Sequence, residues 1–381
     1  MPRQTLPVAA PATVLAVGAY LKNTACLLDG GNLCWSAPHG DLSTPQACAA
    51  LEESLEMLVA QARMPVQAVA HDLHPDFHST RLAVQWAERL GVPAFGVQHH
   101  HAHLAVVQAE QGLREDAIVG LALDGVGLGT DGQAWGGEVL VVRDHHSQRV
   151  AHLPPLPLPG GDVAAREPWR LAAAVLHATG QSARIVPWLG PQVGDTFARG
   201  VQMLLDKDLN CPRSSAAGRW FDAAAAALGL NLRQTREAEA AQAVEAAAHE
   251  WFASHDADEL DACDCTLDDL PAFVATLVDE PDRGRGAARF HRSLAQMLSA
   301  AVIQACRAQG VRTVALGGGC FFNRILSAAV EVRLRGAGLT VHRPAALSVG
   351  DASLALGQAW VAAHHLGESP ETQALLATEE S

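Results

Sequence analysis

None of the eight cysteines is spaced as a C-x-x-C pair, which excludes zinc-finger pairs. The closest two, Cys263 and Cys265, lie in an acidic stretch expected to be an exposed loop. No secretory signal opens the sequence, so thiols in a reducing cytoplasm are expected rather than disulfides. No apolar run is long enough to span a bilayer; VLAVGAYL, near the start, has the length and composition of a strand. Positive charge is also scarce. Lys and Arg number 27 against 41 Asp and Glu, a formal net charge of −14. That balance argues against nucleic acid or an anionic membrane as the main partner. No short-period repeat is present, and no glycine-rich turn fits the Rossmann or Walker pattern. The HExxH zinc-peptidase pattern fails as well, because His100 stands where its Glu belongs.

What is present is a globular composition, 49% hydrophobic and 18% charged over 381 residues, long enough for two lobes with separate cores. Apolar patterning predicts strands at 13–19, 24–28 and 32–36, a helix over 45–63, a strand at 68–70, a helix over 79–90 and a strand at 92–97. From about Ile118 the same plan restarts, with a strand, a glycine-rich turn and a returning strand over 136–142. This predicts related lobes at 1–116 and 117–366. A Pro/Gly-rich connector, 153–163, leads into a helical insert over about 164–256, and an acidic irregular stretch follows over 254–285. A helix at 286–308 and strands at 312–316 and 339–342 complete the second lobe, and residues 367–381 are expected to be a flexible tail.

The densest chemistry lies in Gln98-His99-His100-His101-Ala102-His103, between a strand and a helical pattern. His99 and His103 are four apart, so both imidazoles project from one face of a helix, half of a transition-metal site. The same cluster also suits a helix cap whose histidines bond their neighbours. Asp124 ends the apolar run 118–123 and enters a turn holding Gly125 and Gly127, a placement that α/β folds use for an acid at a ligand crevice. Asp351 precedes a second helical pattern and reads equally as its N-cap. Two His and two Asp suit Fe(II), Zn(II) or Mn(II) without choosing among them. Three glycine-rich turns follow apolar strands, at Asp124, at Gly317-Gly318-Gly319 and at Asp351; such turns let backbone amides approach phosphate oxygens.

Several long motifs in order, among them HDLHPDFHST, VQHHHAHLAVVQAE, LALDGVGLGTDGQAWGGEVL, LPLPGGDVAAREPWR, SSAAGRWFDAAAAALGL, LGGGCFFNRIL and GDASLALGQA, resemble the C-terminal transferase region of the HypF-type hydrogenase maturation carbamoyltransferases. That region is related to the Kae1/TsaD threonylcarbamoyl-transfer proteins and to antibiotic O-carbamoyltransferases. The resemblance implies an α/β, two-lobed, actin/sugar-kinase-like (ASKHA) fold with a duplicated β-hairpin-plus-helix core and an interlobe cleft. It puts metal ligands on His99, His103, Asp124 and Asp351, with Fe2+ or Zn2+ first and Mn2+ or Mg2+ as alternatives. Phosphate contacts map to Gly125, Gly127, Gly317, Gly318 and Gly319, and nucleoside contacts to Gly218, Asp222 and Asn323. The implied reaction passes a carbamoyl group from carbamoyl-adenylate, derived from carbamoyl phosphate and ATP, to the C-terminal cysteine thiol of a HypE-type acceptor in the cytoplasm. His100 or His101 would accept the thiol proton or orient the ligand imidazoles, and Lys22 would reach the phosphates.

The alternatives are an O-carbamoyltransferase acting on a small hydroxylated metabolite and a non-catalytic nucleotide-binding scaffold. Leu316 stands where the family usually has Ser, and Ala352-Ser353 stands where Gly-Gly is common. The family's acylphosphatase, zinc-finger and adenylate-forming modules have no counterpart, so the chain is expected to be a short natural version or an excised domain.

Overall fold

Two mixed β-sheets repeat one strand order. The computed structural model describes residues 2–113, 117–143, 145–260 and 265–367. The expected lobe boundary at 116, the expected tail beyond 367 and Cys263 lie outside the described residues. In the first sheet β1 (Arg3–Thr5), β2 (Val14–Ala16), β3 (Cys26–Asp29), β4 (Asn32–Trp35), β5 (Ala68–Asp72) and β6 (Ala94–Val97) run in the order β1-β4-β3-β2-β5-β6. The pairs β2–β3 and β3–β4 are antiparallel, whereas β2–β5 and β5–β6 are parallel.

The second sheet contains β7 (Ala117–Leu128), β8 (Ala134–Arg143), β9 (His146–His152), β10 (Leu156–Pro157), β11 (Arg213–Ser214), β12 (Thr313–Gly317) and β13 (Thr340–His342). Its path β9-β8-β7-β12-β13 has the same two antiparallel pairs followed by two parallel ones. This duplication is the two-lobed actin/sugar-kinase-like fold.

The helix that closes each half packs on the sheet of the other half. His99–Gln111 follows β6 yet lies on β7 and β12, where Leu104 and Val107 join Ile118, Ala122 and Ala315 in one core. Leu354–Gly367 follows β13 yet lies on β2, β3 and β5. The two helices also pack on each other, so their N-termini meet between the lobes. Burying a Leu or Val side chain is worth about 1.5–3 kcal/mol, which makes this crossing a fixed seam.

Three expectations differ from the structure. β9 was not legible as a strand, because HSQRVAH lacks apolar alternation and lies at a sheet edge with most positions exposed. β7 does not stop at Asp124 but continues to Leu128 past a register shift between Leu123 and Gly127. Cys265 carries a disulfide, against the expectation of thiols throughout, whereas Cys26, Cys34, Cys48, Cys211, Cys306 and Cys320 are free. The helices Trp169–Ala178, Asp195–Asp206, Ala217–Ala227 and Glu239–Phe252 follow β10, and the last two pack against the long helix Arg283–Gln309. No helix among the described residues is long and apolar enough to cross a membrane.

Candidate functional site

Gln98 starts the histidine helix: its side-chain oxygen accepts the His101 backbone N–H at 2.8 Å, satisfying one of the free amides of the first turn. His99 and His103 then face the same way. Asp124 sits where β7 leaves register, so its side chain is released from the ladder toward the helix. Asp351 opens a short turn ahead of Leu354–Gly367. Gly350 occupies the cap position of that turn and no side chain caps it, so the cap reading for Asp351 does not hold.

One ligand atom from each of His99, His103, Asp124 and Asp351 lies within 4.8 Å of the others. Asp124 Oδ2 is 2.9 Å from His103 Nε2 and 3.3 Å from His99 Nε2. Asp351 Oδ1 is 3.3 Å and 3.6 Å from the same two nitrogens. Behind His99, Asp72 Oδ2 accepts from Nδ1 at 2.7 Å, while Asp72 Oδ1 accepts the His74 amide at 2.9 Å. Asp72 is buried at the end of β5. This bond fixes the tautomer of His99 and turns its Nε2 lone pair toward the carboxylates.

Burial alone would push His99 down, yet the Asp72 charge and bonds to Asp124, Asp351 and Asp72 hold it well above the usual imidazole range. His103 is likewise raised against burial by Asp124 and Asp351. Burial would lift both acids, but bonds from His103 and His99 hold Asp124 well below the carboxylate range. The same bonds outweigh burial and the Asp124 charge to bring Asp351 to about 2. The pocket is therefore an enclosed negative site with two imidazole nitrogens, a donor set that fits a divalent transition ion.

The Gly317–Gly319 turn and the start of the helix Ala217–Ala227 both close on Asp124 and Gly125. A Cβ on Gly319 would stand 3.1 Å from Asp124 Oδ1, and one on Gly218 would stand 3.1 Å from the Gly125 Cα. Gly125 donates its amide to Asp124 Oδ1 at 2.7 Å. Gly127 packs on His99 and His100, and Gly317 on the His103 carbonyl. Gly318 has φ +101°, and a Cβ there would lie 2.3 Å from the Leu123 carbonyl oxygen, so only glycine keeps this turn closed.

Other expected residues are placed differently. Asp222 is buried, with Oδ1 accepting from Gln234 at 3.1 Å and Oδ2 2.8 Å from the Arg219 guanidinium but accepting no hydrogen bond, and burial lifts it to about 6. Asn323 caps the helix Arg324–Gly336 by accepting the Leu326 amide at 2.9 Å, and its amide nitrogen lies 2.8 Å from His291 Nε2. The cap bond is local, whereas the His291 contact joins a distant segment, which the sequence does not reveal. His100 is fully buried with Nδ1 held 2.9 Å from the Gln98 amide, and burial keeps it well below the imidazole range. His101, pushed to about 3 by burial, has His145 and His146 as its titratable neighbours and is not brought to the carboxylates. Lys22, half exposed with φ 46°, pairs with Glu237 at 2.9 Å.

Sequence reasoning missed Asp72, although it stands at a strand end in a motif already singled out, and it missed Gln98 as the cap.

Residues 9–110 match the HypF Kae1-like domain, and residues 120–358 match the second subdomain of the Kae1-like carbamoyltransferase domain. The chain belongs to the HypF carbamoyltransferase family. It is 54% identical over 374 residues to a carbamoyltransferase HypF homolog from Cupriavidus necator, covering 95% of each chain. It is 46% identical to carbamoyltransferase HypF2 of the same organism, covering 92% of this chain and 46% of that one. A crystal structure of full-length HypF in a phosphate- and nucleotide-bound form aligns with TM-score 0.83 and 28% identity over 96% of this chain and 48% of that one. The chain thus spans about half the length of HypF2 and of that HypF structure, and nearly all of the HypF homolog. By this membership it is a carbamoyltransferase of the type used in hydrogenase maturation.

Proposed function

We propose that this chain carries the transfer half-reaction, moving a carbamoyl group from carbamoyl-adenylate to the C-terminal cysteine thiol of a HypE-type acceptor in the cytoplasm. The observation that carries this reading is the convergence of His99, His103, Asp124 and Asp351, oriented by Asp72. In this reading those four residues hold a divalent ion, Fe2+ or Zn2+ before Mn2+ or Mg2+, between lobes bounded near residues 116 and 117. The ion supplies Lewis-acid polarisation when bound. Asp72 keeps His99 aimed, and the Gly125–Gly127 and Gly317–Gly319 turns bring backbone close to phosphate oxygens, although the Gly125 amide is held by Asp124 and the Gly318 amide by the Val349 carbonyl. Lys22 offers an ammonium at the rim, where the Asp351 and Asp124 charges also reach it. Gly218 and Asp222 line the nucleoside side, with Asp222 exchanging Gln234 for a ribose hydroxyl. Asn323 acts as the cap that holds its turn. Burial of His100 and the placement of His101 argue against either taking the thiol proton. The nucleotide held by the related HypF structure supports the adenylate as donor.

The test is mass spectrometry of HypE after incubation with this protein, ATP and carbamoyl phosphate, and in parallel with preformed carbamoyl-adenylate. A carbamoyl mass gain on the terminal cysteine with the adenylate alone supports an isolated transfer module. A gain with both mixtures means the chain also activates its own donor. No gain in either, with metal confirmed present, overturns the acceptor assignment in favour of a small hydroxylated metabolite or a scaffold role.

A further inference from the structure

Lys22 and Glu237 form an ion pair between the lobes, and both are presented on constrained backbone. Lys22 lies in the first hairpin of the first lobe, and Glu237 precedes the helix Glu239–Phe252 of the second. Lys22 adopts a left-handed φ of 46° and its amide donates to Asp41 Oδ1 at 3.0 Å. Next to Glu237, Ala238 has φ 58°. Side chains with a Cβ adopt that conformation only when their surroundings impose it.

The surroundings of Glu237 are specific. On one side, the Gln234 amide donates to the Ala165 carbonyl and to Asp222 Oδ1, while its oxygen accepts the Ala240 amide at 3.1 Å. On the other, Glu239 Oε2 accepts the Thr235 amide at 2.7 Å and the Arg236 amide at 3.3 Å. Glu237 therefore stands out from a loop pinned at both shoulders. An exposed ion pair between two loose side chains would carry little meaning. Here neither backbone is loose, and the ammonium it holds lies within the reach of the Asp351 and Asp124 charges.

We propose that Glu237 is a carboxylate stand-in for the anionic group of the ligand, holding the Lys22 ammonium across the cleft until a phosphate oxygen displaces it. The inference rests on the nucleotide reading of the cleft and adds to it a residue that gates anionic ligands. A nucleoside without phosphate gains nothing from displacing Glu237.

The experiment is calorimetric titration of zinc-loaded wild-type, Glu237→Gln, Lys22→Met and double-variant protein with AMP and with adenosine. Hydrogen exchange of the nucleotide-free proteins is measured in parallel. Glu237→Gln is expected to tighten AMP roughly 2–5-fold, the scale of an exposed ion pair, and to leave adenosine unchanged. Lys22→Met is expected to weaken AMP and to erase the effect of Glu237→Gln. Exchange at residues 20–24 is expected to quicken in Glu237→Gln. AMP affinity unchanged or weakened by Glu237→Gln overturns the stand-in role, and unchanged exchange overturns the closure. Wild-type protein that binds neither AMP nor adenosine overturns the nucleotide reading instead, and quickened exchange would then still support the closure.

Discussion

Gly357 meets Ala102 backbone to backbone: a Cβ on Gly357 would stand 1.9 Å from the Ala102 carbonyl oxygen. The crossing of the two central helices is set at this point. Six positions before Gly357 lies Asp351, and Ala102 lies between the two ligand histidines. The close approach therefore fixes the gap between carboxylate and imidazoles.

Gly357→Ala should consequently act on both stability and metal binding. Overpacking at such a contact costs about 1–3 kcal/mol. Urea unfolding should show that loss, and zinc affinity should fall with it. An unfolding midpoint equal to that of wild type would mean that the helices separate freely here.

Asp72→Ala should leave the fold intact and weaken zinc by about 10–100-fold, the usual effect of removing the partner that orients a metal-bound histidine. Asp351→Ala, which deletes a ligand, should weaken it further. Competition with a chromogenic chelator measures both, and wild-type affinity in Asp72→Ala would show that His99 needs no orienting group.

Zinc binding should release protons at pH 7. His99 is held well above the ordinary imidazole value of 6.5, so the metal-free site carries a proton that the ion must displace. Affinity should then decline as the pH falls. Titrations in buffers of different ionisation enthalpy count the protons, and a buffer-independent enthalpy would contradict a protonated His99.

Asp222 should give stability an opposite pH dependence to that of a paired surface acid. Its folded value of about 6 exceeds the ordinary carboxylate value of 3.8, so folding favours its protonated form. This contribution is fully present below 3.8 and is lost as the pH rises through about 6. The two-unit difference corresponds to roughly 3 kcal/mol, an upper scale for one buried acid. The stability gap between Asp222→Asn and wild type, measured by urea unfolding, should widen in favour of the variant from pH 4 to pH 7.5. A gap that stays constant would show that Asp222 is not strained by burial.

The parts of the site legible beforehand are those set by short-range pattern. His99 and His103 share a face because of their spacing, and Asp124 was found because an apolar strand runs into it. Asp351 was ambiguous, since an Asp before a helix serves equally as a cap; only the absence of a cap bond resolves it. Asp72, Gln234 and Glu237 were invisible as partners because their bonds join segments brought together by the fold. Arg219, one turn before Asp222, was a readable partner, but the sequence carries no sign that His291 holds Asn323 or that Gln234 holds Asp222. In the fold, the buried strands were readable from apolar runs, whereas β9, polar and at an edge, was not.

The ligand set has a consequence for how the protein is made. His99, His103 and Asp124 emerge early during synthesis, but the fourth donor, Asp351, is translated more than two hundred residues later and reaches them only after its helix crosses at Ala102. A nascent chain stopped anywhere in between holds three donors and no closed site. At the proposed metal site, tight retention of an ion would therefore require that both halves have been synthesised and docked.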